Sequence, residues 1–549
     1  MTLISFGQHK NIITMKKYLT YAGFGLLLLT TSCTKDFKDI NTDPTQYAPE
    51  NFDANYFLSS SQSNYSGAIS GYSGPILFQS GWVQIFSMAT VTGDYYTNAD
   101  KYLASSNTNS YVQSSWNNAY RSAGLANEIL INKAEDADYV NLNAAATIMK
   151  VLNIQYITDV YGDAPYSEAL QVRDGITLPV YDKQQDLYTK ALTDLETAIN
   201  SFDAAKAKPT ADISSMGGDI AKWKRFGYSL MLRMAMRLVK RDASAAQTWA
   251  LKAFAGGTLA SGEDVYFKTD NANGYGNSNI GAWLVATDFY QVRWSKTMID
   301  YLKSVNDPRL SIVAEVPAAG FASNNDQTLA GDNTPANQLG QPNGYDMNTG
   351  SPTNIINSPG YPGGTGSGAD ATPIGKFSRP SIAIYANRNI PVFVLTYAES
   401  ELLLAEAAAR GWSVGASAAV HYANAVSAGI QSLNVFKADA VTPAIANTYA
   451  TTHPLDVSST ENSLKMINTQ YWATTGILLN FGESWINWKR SGYPVLTPVN
   501  FSGNFSGGTI PRRQPYPSGE STSNRDNYQT AVSGLANGDN WDSRVWWDQ

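Results

Sequence analysis

The chain of 549 residues contains little cysteine and little histidine, and each shortage excludes a class of function. Its single cysteine, Cys33, cannot form an intramolecular disulfide. The three histidines occur without an HExxH motif, a paired CxxC motif or a His–carboxylate cluster, which leaves little material for a zinc site or a histidine-activated nucleophile. No EF-hand loop is present either, and a calcium ion bound by loop carbonyls would leave no sequence signature. We therefore predict no metal and no cofactor.

Charge and long apolar runs are also scarce. Charged residues make up 15% of the chain and the net charge is −7, so the sequence offers no basic surface for nucleic acid or anionic lipid. After the N-terminal region, no apolar run approaches the roughly 20 residues that a membrane-spanning helix needs. Aromatic residues, in contrast, reach 12%, with 32 Tyr and 13 Trp. Such a composition suits a surface that binds neutral, hydroxyl-rich ligands.

The N-terminal residues have the pattern of an export signal. From Met15 the chain reads MKKYLTYAGFGLLLLTTSC, which is two lysines, a short apolar run and small residues before Cys33. This pattern predicts a signal peptide over residues 1–32, with translation starting at Met15. The cysteine at the cleavage point resembles a bacterial lipobox, although Thr30 replaces the usual leucine. We predict that Cys33 is acylated, that it attaches the protein to a membrane through lipid alone, and that residues 33–52 form a tether.

Helical periodicity dominates the remainder, residues 53–549, which we interpret as one large domain. Apolar residues recur every three or four positions between Trp223 and Leu238, which predicts an amphipathic helix. We interpret the arginines on its other face as solvated or paired with carboxylates rather than as an anion site. Residues 144–161 and 183–200 are also predicted to be helical.

A pair of helices is predicted in the second half of the chain. The first begins near Val392 and ends around Gly411, and the second resumes at residue 416. Ala418, Tyr422 and Ala425 have the small–large–small spacing of the second helix of a tetratricopeptide repeat. Between residues 321 and 376 the composition changes to Gly, Asn, Pro, Ser and Thr without periodicity, which predicts a long loop insertion.

Seven segments, in order along the chain, resemble the SusD/RagB family of nutrient-binding outer-membrane lipoproteins, in its divergent SusD-like branch. They are KDINTDPTQ, DVYGDAPYSEAL, WKRFGYSLMLRMAMRL, NDPRL, TYAESELLLAEAAARGW, GESWINWKRSGYP and IPRRQPYPSGESTSNRDNYQTAV. The resemblance implies an all-α fold of tetratricopeptide-like helix pairs whose long loops carry the ligand site. It also implies a lipid-anchored protein facing the cell exterior. That protein binds an oligosaccharide or another oligomeric nutrient and delivers it to a SusC-like, TonB-dependent outer-membrane transporter.

Ligand contacts are expected where aromatic rings and amide or carboxylate side chains occur together, because sugar rings stack on aromatics and sugar hydroxyls need polar partners. Three stretches have this composition, and the first is preferred. Its members are Trp82, Gln84, Asp94, Tyr95, Tyr96 and Asn98; the second has Asn273, Tyr275 and Trp283; the third has Asn343, Tyr345 and Asp346. The alternative for Tyr95 and Tyr96 is that they pack the loop against helices.

Two other functions are compatible with the sequence. An all-α glycoside hydrolase would need two suitably separated carboxylates, for which Asp159 with Asp163 and Glu399 with Glu401 are candidates. A helical scaffold without a small ligand is the other. We predict a binding protein and not an enzyme, because paired carboxylates occur in any acidic chain.

Overall fold

The computed structural model describes residues 53–89, 100–273, 277, 292–317, 330–363 and 374–549. Residues Ala54–Gln549 form one compact unit. The predicted signal peptide, lipidation site and tether lie outside the described residues. None of the helices in the described part has a stretch long and hydrophobic enough for a transmembrane span.

Most of the described structure is helical, as predicted. The longer α-helices are α1 (Asn55–Ser70), α2 (Thr108–Lys133), α3 (Val140–Tyr161), α4 (Gln184–Ser201), α5 (Ile220–Arg237), α6 (Ala243–Gly256), α7 (Lys296–Ser304), α8 (Tyr397–Ala409), α9 (Ala418–Gln431), α10 (Pro443–Thr452), α11 (Thr460–Ile477), α12 (Phe481–Ser491) and α13 (Arg525–Ser533). Shorter helical segments are a π-helix at Tyr72–Gln79 that continues into Ser80–Trp82, and single turns at Leu310–Val313, Ile382–Tyr385 and Glu520–Ser523.

Side chains at the N-terminal ends explain where α5 to α12 begin. At each of these ends a hydroxyl, amide or carboxylate oxygen accepts a hydrogen bond from the backbone N–H three residues further on, which satisfies a donor that the helix itself leaves free. The capping residues are Asp219, Asp242, Ser295, Thr396, Ser417, Thr442, Ser459 and Asn480.

Neighbouring helices pack in pairs, as a tetratricopeptide-like fold requires. Helices α1 to α6 each pack against the next along the chain, and α8, α9 and α10 form a second series that α11 and α12 join. Small residues permit the close approach. A Cβ atom added at Gly429 of α9 would lie 2.9 Å from the Thr474 side chain and 3.4 Å from Ala398. The all-α fold built on helix pairs is therefore confirmed.

Within the described part of the chain, three short antiparallel strand pairs interrupt the helices. β1 (Phe86–Met88) pairs with β3 (Val292–Trp294), β2 (Val265–Phe267) with β6 (Val392–Leu395), and β4 (Ala314–Glu315) with β5 (Arg379–Pro380). The helix predicted to begin near Val392 is therefore wrong at its start. The β-branched and aromatic residues of VFVL form β6, and the helix begins after the Thr396 cap.

Arg233 and Arg237 of α5 are paired with carboxylates but lie in the protein interior rather than on a solvated face. Arg233 Nε lies 2.6 Å from Glu399 Oε1 and 3.6 Å from Glu483 Oε2. Arg237 pairs with Glu483 and also lies 3.4 Å from Asp159 Oδ2. This buried charge network joins α3, α5, α8 and α12.

A second buried ion pair joins α8 to α12. Arg490 donates to both carboxylate oxygens of Glu406, each at 2.7 Å, and Arg410 adds a third contact. Burial alone would raise the pKa of Glu406, but the two guanidinium groups outweigh it and lower the pKa to about 2. Glu406 therefore stabilises the folded state above its unfolded pKa of about 4.3, and this contribution is lost as the pH falls towards 2.

We expect Glu406→Gln to lower the free energy of unfolding at pH 7 by about 3 to 5 kcal/mol, because it leaves a buried guanidinium without its counter-charge. Urea denaturation measured between pH 7 and pH 3 should show the difference from wild type shrinking below pH 5. Glu196→Gln removes a partly exposed partner of Lys252 and should cost less than about 1 kcal/mol. Equal losses in the two variants would contradict this account.

Candidate functional site

The ribbon of β1 and β3 brings together the chain ends that flank two of the predicted ligand-binding stretches. Met88 is paired with Val292. The backbone that enters the first stretch after Ala89 and the backbone that returns at Val292 therefore lie side by side. The antiparallel register of β1 and β3 sets this position, and no local motif in either stretch predicts it.

The third stretch is hydrogen-bonded along the same ribbon. The Gln341 N–H donates to the Trp294 carbonyl at 2.9 Å, and the Lys296 N–H donates to the Gln341 carbonyl at 2.7 Å. The Ser87 hydroxyl donates to the Pro342 carbonyl at 2.9 Å. Asn343 and Tyr345, which follow directly, are thereby fixed beside the ribbon.

Asp100 joins the first stretch to the third. Its carboxylate accepts hydrogen bonds from the Gly344 N–H at 3.0 Å, from the Ser87 hydroxyl at 3.2 Å and from the Asn343 side-chain amide. The group is fully buried, and burial raises the pKa of Asp100 to about 6 although these hydrogen bonds oppose the shift. The two loops are therefore held together by one desolvated carboxyl group.

Lys101 provides the adjacent ionic contact. It forms a buried ion pair with Asp346, and its ammonium group also donates to the Thr353 hydroxyl at 3.1 Å. The ammonium group lies 4.7 Å from the centre of the Phe501 ring. Asp346 is predicted from the sequence as a polar contact for a ligand. Its carboxylate instead pairs with Lys101 and holds the loop in place.

A small apolar cluster, separate from the main core, supports Tyr345 from the inside. Ala89, Met347, Ile374 and other buried apolar residues form it, and the half-buried Tyr345 ring packs against it. The cluster contains residues from the start of the first stretch and from the third. The structure therefore places Ala89, where the described part of the first stretch ends, beside the third stretch.

An open groove of about 500 Å³ lies at this point. Its walls come from α7, from the 342–353 segment and from residues 497–500, and its lining residues include Gln84, Lys296, Thr297, Asp300, Asn343, Tyr345, Thr353, Thr497, Val499 and Asn500. Its volume is within the range of small-ligand sites. We call it the Tyr345 groove.

Several polar groups in the Tyr345 groove remain available. The Tyr345 hydroxyl, the Asn500 amide, the Thr497 hydroxyl and the Asn343 side-chain oxygen form no hydrogen bond with other described residues. Lys296 and Asp300, on the rim, pair with each other. An aromatic ring surrounded by neutral donors and acceptors can stack on a sugar ring and hydrogen-bond its hydroxyls.

Gln84 positions the walls of the groove. Its side-chain amide donates to the Thr497 carbonyl at 2.6 Å, and its side-chain oxygen accepts from the Thr297 hydroxyl at 2.7 Å. Its backbone has φ of 52°, a left-handed conformation that non-glycine residues rarely adopt. Both the nitrogen and the oxygen of the side-chain amide are hydrogen-bonded, so Gln84 connects α7 to the 497–500 segment.

The structure corrects the prediction that Trp82 contacts the ligand. Trp82 lies in the core with no accessible surface, and its ring centre is 5.1 Å from that of Trp485 and 5.6 Å from that of Phe78. A ring buried in this way has no free face for a sugar. The apolar residues that follow it, which form the buried β1, are the sequence signal that its stretch enters the core.

The other residues predicted to contact a ligand either lie outside the described residues or do not line the groove. Asp94, Tyr95, Tyr96, Asn98, Tyr275 and Trp283 lie outside the described residues and stay predictions. Asn273 is exposed and donates to Asp270 at 2.6 Å. Sequence analysis missed Lys296, Thr297 and the 497–500 wall, because they reach the groove through tertiary packing.

The carboxylates considered for a hydrolase have structural roles. Asp159 accepts from the Trp547 indole N–H at 2.8 Å within the buried charge network, and Glu399 pairs with Arg233. Asp163 accepts from the Gln184 N–H at 2.8 Å, and Glu401 accepts from His421 at 2.9 Å. Among the described residues, no group of three or more His, Cys, Asp or Glu is arranged to hold a metal ion.

Comparison with known families identifies the class of protein. Residues 72–517 match the SusD-like family that is described as "Starch-binding associating with outer membrane". The match extends over most of the chain, which therefore belongs to the SusD-like family. A search of curated proteins gives no match.

Solved structures share the whole fold. A structure described as a chitin-binding protein is 29% identical, with a TM-score of 0.75, over 90% of this chain and 100% of the other. A SusD-like protein described as Bacteroidetes AC2a has 25% identity and a TM-score of 0.75, over 91% and 100% of the two chains. A chitin-binding SusD homologue from Flavobacterium johnsoniae has 23% identity and a TM-score of 0.69, over 90% and 98%, and shows the shared fold.

The Lys101–Asp346 pair gives a test of how the groove is held. We expect Lys101→Met to increase hydrogen exchange in residues 343–355 and to lower the free energy of unfolding by about 3 to 5 kcal/mol, because a buried carboxylate loses its partner. Lys296→Met removes the same charge from the exposed pair with Asp300 and should cost less than about 1 kcal/mol. Unchanged exchange in Lys101→Met would show that the pair does not hold this wall.

Proposed function

We propose that the protein binds an oligomeric glycan in the Tyr345 groove, without transforming it. The observation that carries this proposal is the half-buried Tyr345 ring, which is supported from behind by an apolar cluster and lies among neutral polar groups, several of which form no hydrogen bond with other described residues. Sugar recognition needs this combination of a stacking face and hydroxyl partners. The family description and the chitin-binding structures support the same ligand class.

Binding without chemistry is supported by the groove's lining. A glycosidase needs two carboxylates that face the scissile bond. Among the described lining residues, Asp300 is the one carboxylate, and it is paired with Lys296. The protein would therefore bind its ligand and release it intact.

We also propose where the protein works and with which partner. An acylated Cys33 would hold it on the outer membrane facing the cell exterior, and the ligand would pass to a SusC-like, TonB-dependent transporter. The signal sequence with its solitary cysteine and the family's described association with the outer membrane support the location. The family resemblance alone supports the transporter.

Titration calorimetry with chitohexaose and maltohexaose tests the ligand site. Tyr345→Ala should weaken binding of the preferred oligosaccharide about tenfold, because it removes a stacking face together with its buried area. Tyr345→Phe keeps the ring and should bind nearly as well as wild type. Tyr56→Ala removes a tyrosine that is 60% exposed on α1, away from the groove, and serves as the control.

Two outcomes would contradict the proposal. Unchanged affinity in a folded Tyr345→Ala variant would place the ligand elsewhere, and Tyr95→Ala and Tyr96→Ala would then test the first stretch. Shorter sugars appearing after incubation with the purified protein would favour a hydrolase. The chromatogram of the oligosaccharide should instead be unchanged.

Location and partner can be tested in the native cell. A fatty-acid probe should label the wild type and not Cys33→Ala, since the acyl chain needs the thiol. Purification of tagged wild type from detergent-solubilised outer membrane should recover a β-barrel transporter. A labelled Cys33→Ala variant would exclude this lipidation site, and wild type recovered without a barrel would count against the partner.

A further inference from the structure

A second cavity, of about 410 Å³, lies between the N-terminal part of α5, strand β2 and the C-terminal end of α9. Its lining residues include Lys222, Leu259, Ser261, Asp264, Tyr266 and Gln431. It shares no lining residue with the Tyr345 groove. We call it the α5–α9 cavity.

Asp264 contributes a carboxylate to this cavity without a cationic partner among the described residues. One carboxylate oxygen accepts from the Tyr397 N–H at 2.9 Å, and the other accepts from the Ser432 hydroxyl at 2.5 Å. An ionised carboxylate has about four acceptor positions, so both oxygens retain capacity. Burial raises the pKa of Asp264, which is consistent with a group that gains from further hydrogen-bond donors.

Other polar groups that line the cavity are also unused. The Lys222 ammonium, the Ser261 and Tyr266 hydroxyls and the Gln431 side-chain oxygen form no hydrogen bond with other described residues. Glu263 differs, since Arg225 holds its carboxylate at 2.6 Å. The cavity thus offers three donors, together with the Gln431 oxygen and the Asp264 carboxylate as acceptors.

Apolar surface completes the lining. Leu259, Val265 and Val435 contribute to the walls, together with the partly exposed Tyr266 ring, which also packs edge-on against Phe393 at 5.8 Å between ring centres. A sugar ring would match this lining, because it has apolar C–H faces and a rim of hydroxyls that both donate and accept hydrogen bonds. The volume lies at the lower end of the range for small-ligand sites, which suits a short ligand.

We infer that the α5–α9 cavity is a second saccharide site, which takes a single sugar unit through hydrogen bonds to Asp264, Lys222 and Gln431. Tyr266 and the apolar walls contact the C–H face of the ring. Two separate sites on one rigid protein would let it hold a long glycan at two points, which increases the apparent affinity without any change at either site. This inference does not depend on the Tyr345 groove.

Saturation-transfer NMR on the intact protein tests the second site. The probes are glucose, galactose, mannose and N-acetylglucosamine, each at millimolar concentration. At least one should receive saturation from wild type and from Tyr345→Ala alike. The signal should fall by roughly fivefold or more in Lys222→Ala/Gln431→Ala, as expected when hydrogen bonds to a ligand are lost.

Asp264→Asn is the second variant, because asparagine retains an acceptor for the Tyr397 N–H and the fold can be checked by circular dichroism. It should weaken the same signal. Absence of saturation transfer with all four sugars, or an undiminished signal in the folded cavity variants, would overturn the inference. A signal lost in Tyr345→Ala and kept in the cavity variants would assign binding to the groove alone. Binding at the Tyr345 groove and binding at the α5–α9 cavity can therefore be disproved independently.

Discussion

Two arginines buried in α5 are the constraint on which the helical frame depends. Moving guanidinium groups out of water costs several kcal/mol each unless carboxylates meet them with good geometry. Arg233 and Arg237 therefore require Asp159, Glu399 and Glu483, which belong to α3, α8 and α12. Burial and the charge of Glu483 raise the pKa of Glu399, although Arg233 opposes them. Helices far apart in sequence must assemble together, because a frame lacking one of them would bury unpaired charge.

The frame supports the Tyr345 groove through two indole hydrogen bonds at the end of the strand ribbon where Phe86 pairs with Trp294. Trp472 of α11 donates to the Val83 carbonyl at 2.8 Å, just before β1, and Trp294 of β3 donates to the Val313 carbonyl at 2.9 Å. From this anchored ribbon, Asp100 and Lys101 hold the 343–346 segment. A rigid frame thus positions a polar groove formed largely by loops, which is a common way to obtain binding specificity.

The sequence predicted those elements whose structure is determined by a local pattern of residues. The periodicity over Trp223–Leu238 predicted α5, because the apolar residues of that helix pack in the core, whereas the burial of Arg233 and Arg237 on its other face did not follow from the pattern. Prediction from the sequence failed where contacts between distant segments determine the structure. Trp82 was expected at a ligand and lies in the core, and Val392 was expected in a helix and lies in a strand paired with β2. The α7 and 497–500 walls of the groove come from segments with no sugar-binding signature.

We propose that Tyr345 and its neutral neighbours bind a sugar chain. A crystal structure of the protein with chitohexaose or maltohexaose tests it most directly. We expect a sugar ring stacked on Tyr345, with its hydroxyls within hydrogen-bond distance of Asn343, Thr497 or Asn500. An oligosaccharide bound with Tyr345 uncovered, or a groove that stays empty while calorimetry shows binding, would contradict the account.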